Sequence, residues 1–328
     1  MSLVCCQKTR VLLTLKDGAV RFRVQAKPRT NRDAPSRCVH DPTARPVVTF
    51  ALEMALDFHK YEGLGNDFVL VEAEREDAVT PSLARSLCDR RFGVGADGVL
   101  LLLPATSAGA QARMKVLNAD GSVPEMCGNG LRCAVLHLAR ARGQEAGEVT
   151  FDTGAGLRPC TIDDHLGRGL VTVDMGVVRV TGDVKLDVGA GGSSDVWELS
   201  LADAGNPHAI TTRPAARAII DVVGPRIATH ASFPAGTNVE FAVFRKGAVD
   251  LVVWERGVGV THACGTGACA TVAVGVARGL VAVGEEISVN LPGGPLSVTI
   301  RADGRAIMRG PARHVFSGKI VPGEGVAP

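Results

Sequence analysis

The chain carries one short segment twice. Cys127-Gly128-Asn129-Gly130 runs on to Ala141-Arg142-Gly143, and 137 residues after the first cysteine Cys264-Gly265-Thr266-Gly267 runs on to Ala277-Arg278-Gly279. The echo extends to both sides. Gly65-Asn66 answers Gly205-Asn206, Phe92, Gly95 and Asp97 answer Phe233, Gly236 and Asn238, and the stretch Val149–Leu157 answers Ser288–Leu296, at offsets of 139 to 141 residues. Several pieces in one order at near-constant spacing constrain the fold more than any composition does. The period is too long for a solenoid repeat. It fits two homologous halves of about 140 residues each, the ordinary size of a domain.

Apolar, β-branched runs bounded by Gly, Pro and Asp predict strands near residues 67–73, 98–103, 112–118, 148–153 and 170–174, and again near 208–212, 238–244, 249–255, 286–290 and 296–301. Residues 130–142 and 267–279 are instead rich in Ala, Leu and Val at helical length and lack a polar face. A helix of that kind belongs inside its domain. The expected fold class is therefore α+β: two pseudo-symmetric halves, each a curved, mainly antiparallel, barrel-like sheet around a central helix. The expected boundaries are 54–174 and 175–308, with 309–320 returning as a strand to the first half.

In this arrangement Cys127 and Cys264 each stand at the N-terminus of a central helix. Unpaired N–H groups and the helix dipole favour a thiolate there. The adjacent glycines let backbone amides approach a bound anion. One thiol per half suits chemistry on two faces of one substrate. Cys133 and Cys269 fall inside the helices and read as structural cysteines, as most free cysteines do. The spacing of these four cysteines does not match the close pairs of a structural zinc site, so no metal is expected. No P-loop lysine follows the glycines, and Gly93–Gly98 precedes a strand-like run and reads as a turn. A hydrolase with a single nucleophilic cysteine and His208 as base would leave the duplication without a purpose.

Charge and cysteine usage narrow the class further. Residues 1–50 hold ten Lys or Arg against three Asp, so a chain of net charge +2 has a body at −5. Such a body offers no general attraction to nucleic acid. No apolar run reaches the length of a membrane-spanning helix. Nine cysteines, an odd number without framework spacing, suit a reducing compartment. Residues 1–53 carry no echo of the repeat, and Met54 directly precedes the first patterned strand. This basic extension is expected to lie outside the fold, either disordered or upstream of a true start at Met54. A cytoplasmic location is expected, or a plastid if the extension is a transit peptide.

The motifs closely resemble those of diaminopimelate epimerases. The matching segments are Lys60–Phe68, Asn118–Ser122, Glu125–Gly130, Gly205–His208, Thr237–Phe241, Trp254–Gly257, Ala263–Ala268 and Leu291–Gly294, and the resemblance spans residues 55–320. It implies a cofactor-independent two-base epimerase that interconverts LL- and meso-diaminopimelate on the route to lysine and, in bacteria, to peptidoglycan. Cys127 and Cys264 match the two catalytic thiols, Cys127 acting on the LL isomer and Cys264 on the meso isomer. The resemblance assigns Gly128, Asn129, Gly265 and Thr266 to the reacting end of the substrate. It assigns Asn66, Asn118, Asn206, Asn238, Glu255 and Arg256 to the distal amino-carboxylate. His208 and Glu255 match positions that tune the protonation of the thiols. A homodimer is implied, although Phe316 stands where the family carries a Tyr linked to dimerisation, and Gly98 stands where some members carry Gln. Taken singly, Asn66 and Asn206 are ordinary turn residues and Glu255-Arg256 an ordinary surface pair.

Two other readings remain. Proline racemases and hydroxyproline epimerases share the two-cysteine fold but usually carry His where Asn129 stands. A catalytically inactive amino-acid-binding homologue would have lost one of the thiols, and both are present here.

Overall fold

A computed structural model describes residues 10–16, 19–25, 55–124, 127–144, 146–164, 169–189 and 193–321. Contacts divide the chain into two units, residues 1–54 and 55–328. In the first unit the described residues form a two-stranded antiparallel hairpin, β1 (Arg10–Lys16) and β2 (Ala19–Gln25). The rest of the extension expected to be disordered, with Glu125 and Met126 of the motif before Cys127, lies outside the described residues.

The second unit repeats one pairing pattern. In its first half β3 (Leu56–Gly63) pairs antiparallel with β4 (Asn66–Glu72), which lies parallel to β5 (Gly98–Leu103) with the short helix α1 (Pro81–Cys88) between them. β5 turns back onto β6 (Ala112–Asn118), and helix α2 (Gly128–Arg142) carries the chain to β7 (Gly147–Thr153), parallel to β6. β8 (Gly156–Asp164) and β9 (Leu170–Val177) then follow as antiparallel neighbours, and β10 (Arg179–Asp187) leads into the second half.

That half repeats each step. β11 (Val196–Asp203) pairs antiparallel with β12 (Pro207–Thr211), and β12 lies parallel to β13 (Asn238–Arg245) across α3 (Arg217–Ala228). β13 turns onto β14 (Ala248–Glu255), followed by the two-residue β15 (Gly259–Val260), and α4 (Gly265–Ala277) crosses to β16 (Glu286–Leu291), parallel to β14. β17 (Gly294–Ile300) and β18 (Arg305–Pro311) complete the repeat. β18 pairs with β9, and β19 (Arg313–Ile320) pairs with β3. Among the described residues these strands make one sheet of seventeen.

The two apolar helices are central, as their composition requires. α2 packs on β3, β4, β5, β6, β8, β9 and β19, whereas α4 packs on β10 to β13, β17 and β18. Both feed one core that crosses the two halves, and two smaller cores lie beneath α1 and α3. These outer helices escape the apolar-run pattern for different reasons. α1 is short and amphipathic, and its signal is the Thr80 side chain capping Leu83 N with Pro81 at the first turn. α3 contains Pro225, which would ordinarily interrupt a helix. No helix among the described residues is long and apolar enough to cross a membrane.

Candidate active site

Each central helix is capped by the sulfur of its own cysteine. Gly130 N donates to Cys127 Sγ at 3.3 Å, and Gly267 N donates to Cys264 Sγ at 3.4 Å. The thiols occupy the place where Ser, Thr or Asp usually satisfies the free N–H groups of a first turn. The glycines are sterically required. A Cβ on Gly130 would lie 3.1 Å from Cys127 Sγ and 2.7 Å from Leu100 Cδ2, and one on Gly267 would lie 3.2 Å from Cys264 Sγ and 2.7 Å from Glu240 Oε1. At the other ends the repeated Ala-Arg-Gly terminates the helices, with Gly143 and Gly279 in the left-handed region at φ 61° and 69°.

The two helix starts meet. Asn129 Nδ2 donates to Ala263 O at 3.0 Å and lies 3.2 Å from Asn66 Oδ1. Met308 touches both turns, because a Cβ on Gly128 would lie 3.0 Å from its Cε and one on Gly265 3.1 Å from its Sδ. Cys264 is buried and Cys127 half-buried. Their surroundings oppose the simple expectation that a helix N-terminus lowers a thiol pKa. Burial pushes Cys127 up to about 11, against the opposing pull of Gly130 N–H and Arg132. Burial, reinforced by Glu255 and Glu240, raises Cys264 well above its usual value. Loss of hydration outweighs the dipole here. A thiolate in this site therefore needs positive charge close by.

The remaining residues implied by the resemblance fall into two groups at the ends of equivalent strands. Asn66 begins β4 after a turn in which Leu64 has φ 57° and Gly65 φ 79°, and its amide donates to Asp97 Oδ2 at 2.9 Å. Asn118 stands at the end of β6 opposite Gly98 and donates to Ser122 Oγ at 3.0 Å. Gly98 leaves no room for a side chain, since a Cβ would lie 2.8 Å from Leu117 O. In the second half Asn206 Oδ1 lies 2.9 Å from His208 Nε2. Asn238 Oδ1 accepts from Arg256 N at 2.9 Å, and its amide donates to Pro207 O at 3.0 Å. Glu255 Oε1 accepts from the Thr261 hydroxyl at 2.5 Å, and burial raises its pKa. Glu255 acts electrostatically on both thiols. Thr266 is buried, with its hydroxyl 3.5 Å from Cys264 Sγ.

Four contributors escape sequence reasoning. Asp97 holds Asn66 and is itself held by Arg90 at 2.7 Å. Gly293 sits under the Leu64 turn, where a Cβ would lie 1.9 Å from Leu64 O. Glu240 Oε1 lies 2.6 Å from His208 Nδ1, with neither side chain exposed. Arg132 is fully buried in α2. For the last two a signal was available: a carboxylate inside the strand run Asn238–Phe244, and a guanidinium inside the otherwise apolar first turns of a helix.

A family model described as diaminopimelate epimerase matches residues 58–181 and 200–315. The diaminopimelate epimerase of Synechococcus elongatus is 42% identical over 282 residues, covering 81% of this chain and 99% of its own. A protein of Oryza sativa subsp. japonica named diaminopimelate epimerase, chloroplastic, is 38% identical over 332 residues, covering 92% and 91%. Among solved structures, a probable proline racemase from Agrobacterium radiobacter superposes with a TM-score of 0.65 at 19% identity, covering 82% of this chain and 93% of its own. A hydroxyproline epimerase from Agrobacterium vitis gives 0.63 at 20% identity over the same shares. At these identities the likeness is one of fold.

Proposed function

The chain belongs to the diaminopimelate epimerase family, and from that membership we propose that it interconverts LL- and meso-diaminopimelate by a two-base mechanism at Cys127 and Cys264. The observation that carries this reading is the pairing of two cysteine-capped helix starts through Asn129 and Ala263. In the LL to meso direction the Cys127 thiolate takes the Cα proton while the Cys264 thiol delivers its own to the opposite face. The roles exchange in reverse.

The difficult species is a carbanion beside a carboxylate, with no cofactor to accept the electrons. Its charge is met by preorganised N–H groups of Gly128, Asn129, Gly265 and Thr266 at the helix ends, in a site that excludes most water. The α-ammonium of the substrate brings positive charge to thiols that burial keeps protonated. Asn129 Oδ1 is buried without a partner and can accept from that ammonium. Asn66, Asn118, Asn206, Asn238, Glu255 and Arg256 recognise the distal amino-carboxylate: amides both donate and accept, Glu accepts from an ammonium, and Arg pairs with a carboxylate. His208 touches Asn206 and Glu240, so it acts through them.

A homodimer through β19 is supported by Val315 and Phe316, which are 46% and 45% exposed on one strand. A plastid location is favoured for the natural protein if residues 1–53 act as a leader, as the chloroplastic name of the rice relative suggests; otherwise the enzyme is cytoplasmic.

Cα deuterium exchange from D2O, followed by NMR on diaminopimelate and proline in parallel, tests the reading. Exchange on diaminopimelate alone is expected. Exchange on proline alone would replace this function with the racemase one suggested by the fold.

A further inference from the structure

A two-base site needs one thiolate and one thiol at the same moment, yet the duplication supplies two nearly identical cysteine turns. Among the buried charges present in only one half, two lie near the cysteine turns, Glu240 and Arg132. Phe68 pairs with Gly98 where His208 pairs with Asn238, so Leu100 in β5 and Glu240 in β13 occupy equivalent places. A Cβ built on the glycine third after the cysteine would lie 2.7 Å from a Leu100 methyl group in the first half and 2.7 Å from a Glu240 carboxylate oxygen in the second. Glu240 is completely buried; Oε1 lies against His208 and Oε2 has no partner.

The second difference lies in the helices. Arg132, five residues after Cys127, is matched in α4 by Cys269, five residues after Cys264. The Arg132 guanidinium donates from Nε to Pro311 O at 3.2 Å and lies 3.7 Å from Met308 Sδ, while Nη2 has no partner among the described residues. No carboxylate among the described residues forms an ion pair with it. Among the described residues Glu62 acts on it only from beyond ion-pair distance, and a buried cation with no carboxylate in contact stabilises an anion that forms near it.

We propose that Arg132 and Glu240 are positioning residues that make the two thiols unequal in the resting enzyme, Arg132 favouring the thiolate at Cys127 and Glu240 favouring the thiol at Cys264. The inference rests on the two-base reading of the site. Met308 lies between Arg132 and the Cys127 turn, its Sδ 3.7 Å from Nη1 and its Cε 3.0 Å from a Cβ on Gly128, and among the described residues the groups that act on Cys127 are Gly130 N–H, Glu255, Arg132 and Asn129 N–H. Around Cys264 they are Glu255, Glu240, the Thr266 hydroxyl and Gly267 N–H. Glu255 opposes ionisation of both. His208 lies behind Glu240 and fixes its carboxylate. Cys127 is therefore the easier of the two thiols to ionise once the substrate's ammonium enters.

The test is the alkylation rate of each thiol by iodoacetamide in unliganded protein, resolved by mass spectrometry from about pH 7 to about pH 9. Because the thiols differ in exposure, the informative quantity is the change at one thiol on mutation. Glu240→Gln, which keeps size and the acceptor for His208, should raise the Cys264 rate about tenfold with little change at Cys127. Arg132→Met should lower the Cys127 rate by a similar factor, and Arg132→Lys should restore it. A folded Glu240→Gln protein with an unchanged Cys264 rate would overturn the proposal, as would equal Cys127 rates in the Met and Lys variants. No substrate is involved, so failure of the epimerase reading shows separately, as absent exchange on diaminopimelate with these shifts intact.

Discussion

Asn129 donates its side-chain amide to the Ala263 carbonyl at 3.0 Å, tying the first turn of α2 to the residue that precedes the cap of α4. The same nitrogen lies 3.2 Å from Asn66 Oδ1, so one side chain joins both cysteine turns to the start of β4. Asn129→Ala should lower Cα exchange by about 100-fold, because it loosens the alignment of the two thiols. It should cost only about 1 kcal/mol of stability, the worth of an ordinary hydrogen bond. Urea unfolding beside the exchange assay separates the two effects.

Serine at either cysteine should leave the fold intact, because Ser is a favoured helix cap and can take the N–H of Gly130 or Gly267. A hydroxyl is too weak an acid to replace the thiol. Cys127→Ser and Cys264→Ser should each reduce epimerisation about 1000-fold or more with melting temperatures close to the parent. Normal turnover in either variant would remove the two-base assignment.

Gly293 carries the second half's approach to the Leu64 turn. A Cβ there would lie 1.9 Å from Leu64 O, and this turn places Asn66. Gly293→Ala should destabilise the protein by about 1–3 kcal/mol, the usual cost of overpacking, and raise KM for diaminopimelate more than it lowers kcat. Calorimetry and steady-state kinetics would show both.

Asp97→Ala should act on substrate binding without reaching the thiols. The Asp97 carboxylate holds the Asn66 amide at 2.9 Å and is bridged by Arg90 to Asp67. Its loss frees Asn66 to rotate, so KM should rise about tenfold, equivalent to one good hydrogen bond. Iodoacetamide reactivity of Cys127 should be unchanged.

His137 links the fold to pH. It is buried in α2, hydrogen-bonded to Tyr61 and Glu72, and burial lowers its pKa below the ordinary 6.5. The unfolded chain therefore binds a proton at this residue before the folded one does. Stability is fully present above pH 6.5 and declines as the pH falls from there toward the lower native value. Urea unfolding at pH 7 and pH 5 should show a smaller loss for His137→Gln than for the parent. Equal losses would exclude this residue as a source of acid sensitivity.

The sequence alone determined the duplication, most strands of both halves though not β8, β10, β11 or β18, the two central helices and the position of a thiol at the head of each. These rest on local pattern: β-branched runs between turn residues, apolar stretches without a polar face, and Cys-Gly-x-Gly followed by Ala-Arg-Gly. The resemblance to a known family picked out the residues proposed to bind substrate, whose types alone read as turn asparagines and a surface ion pair. Tertiary structure decided the rest, because it depends on contacts between residues far apart in the chain. Burial reversed the expected effect of the helix ends on the thiols, since dehydration of a sulfur depends on everything packed around it. Glu240 became the counterpart of Leu100 only through parallel strand pairing. Arg132 became a buried charge with no carboxylate in contact among the described residues only because the first three turns of α2 lie within its sheet. A repeat makes two sites alike, and packing made these two different.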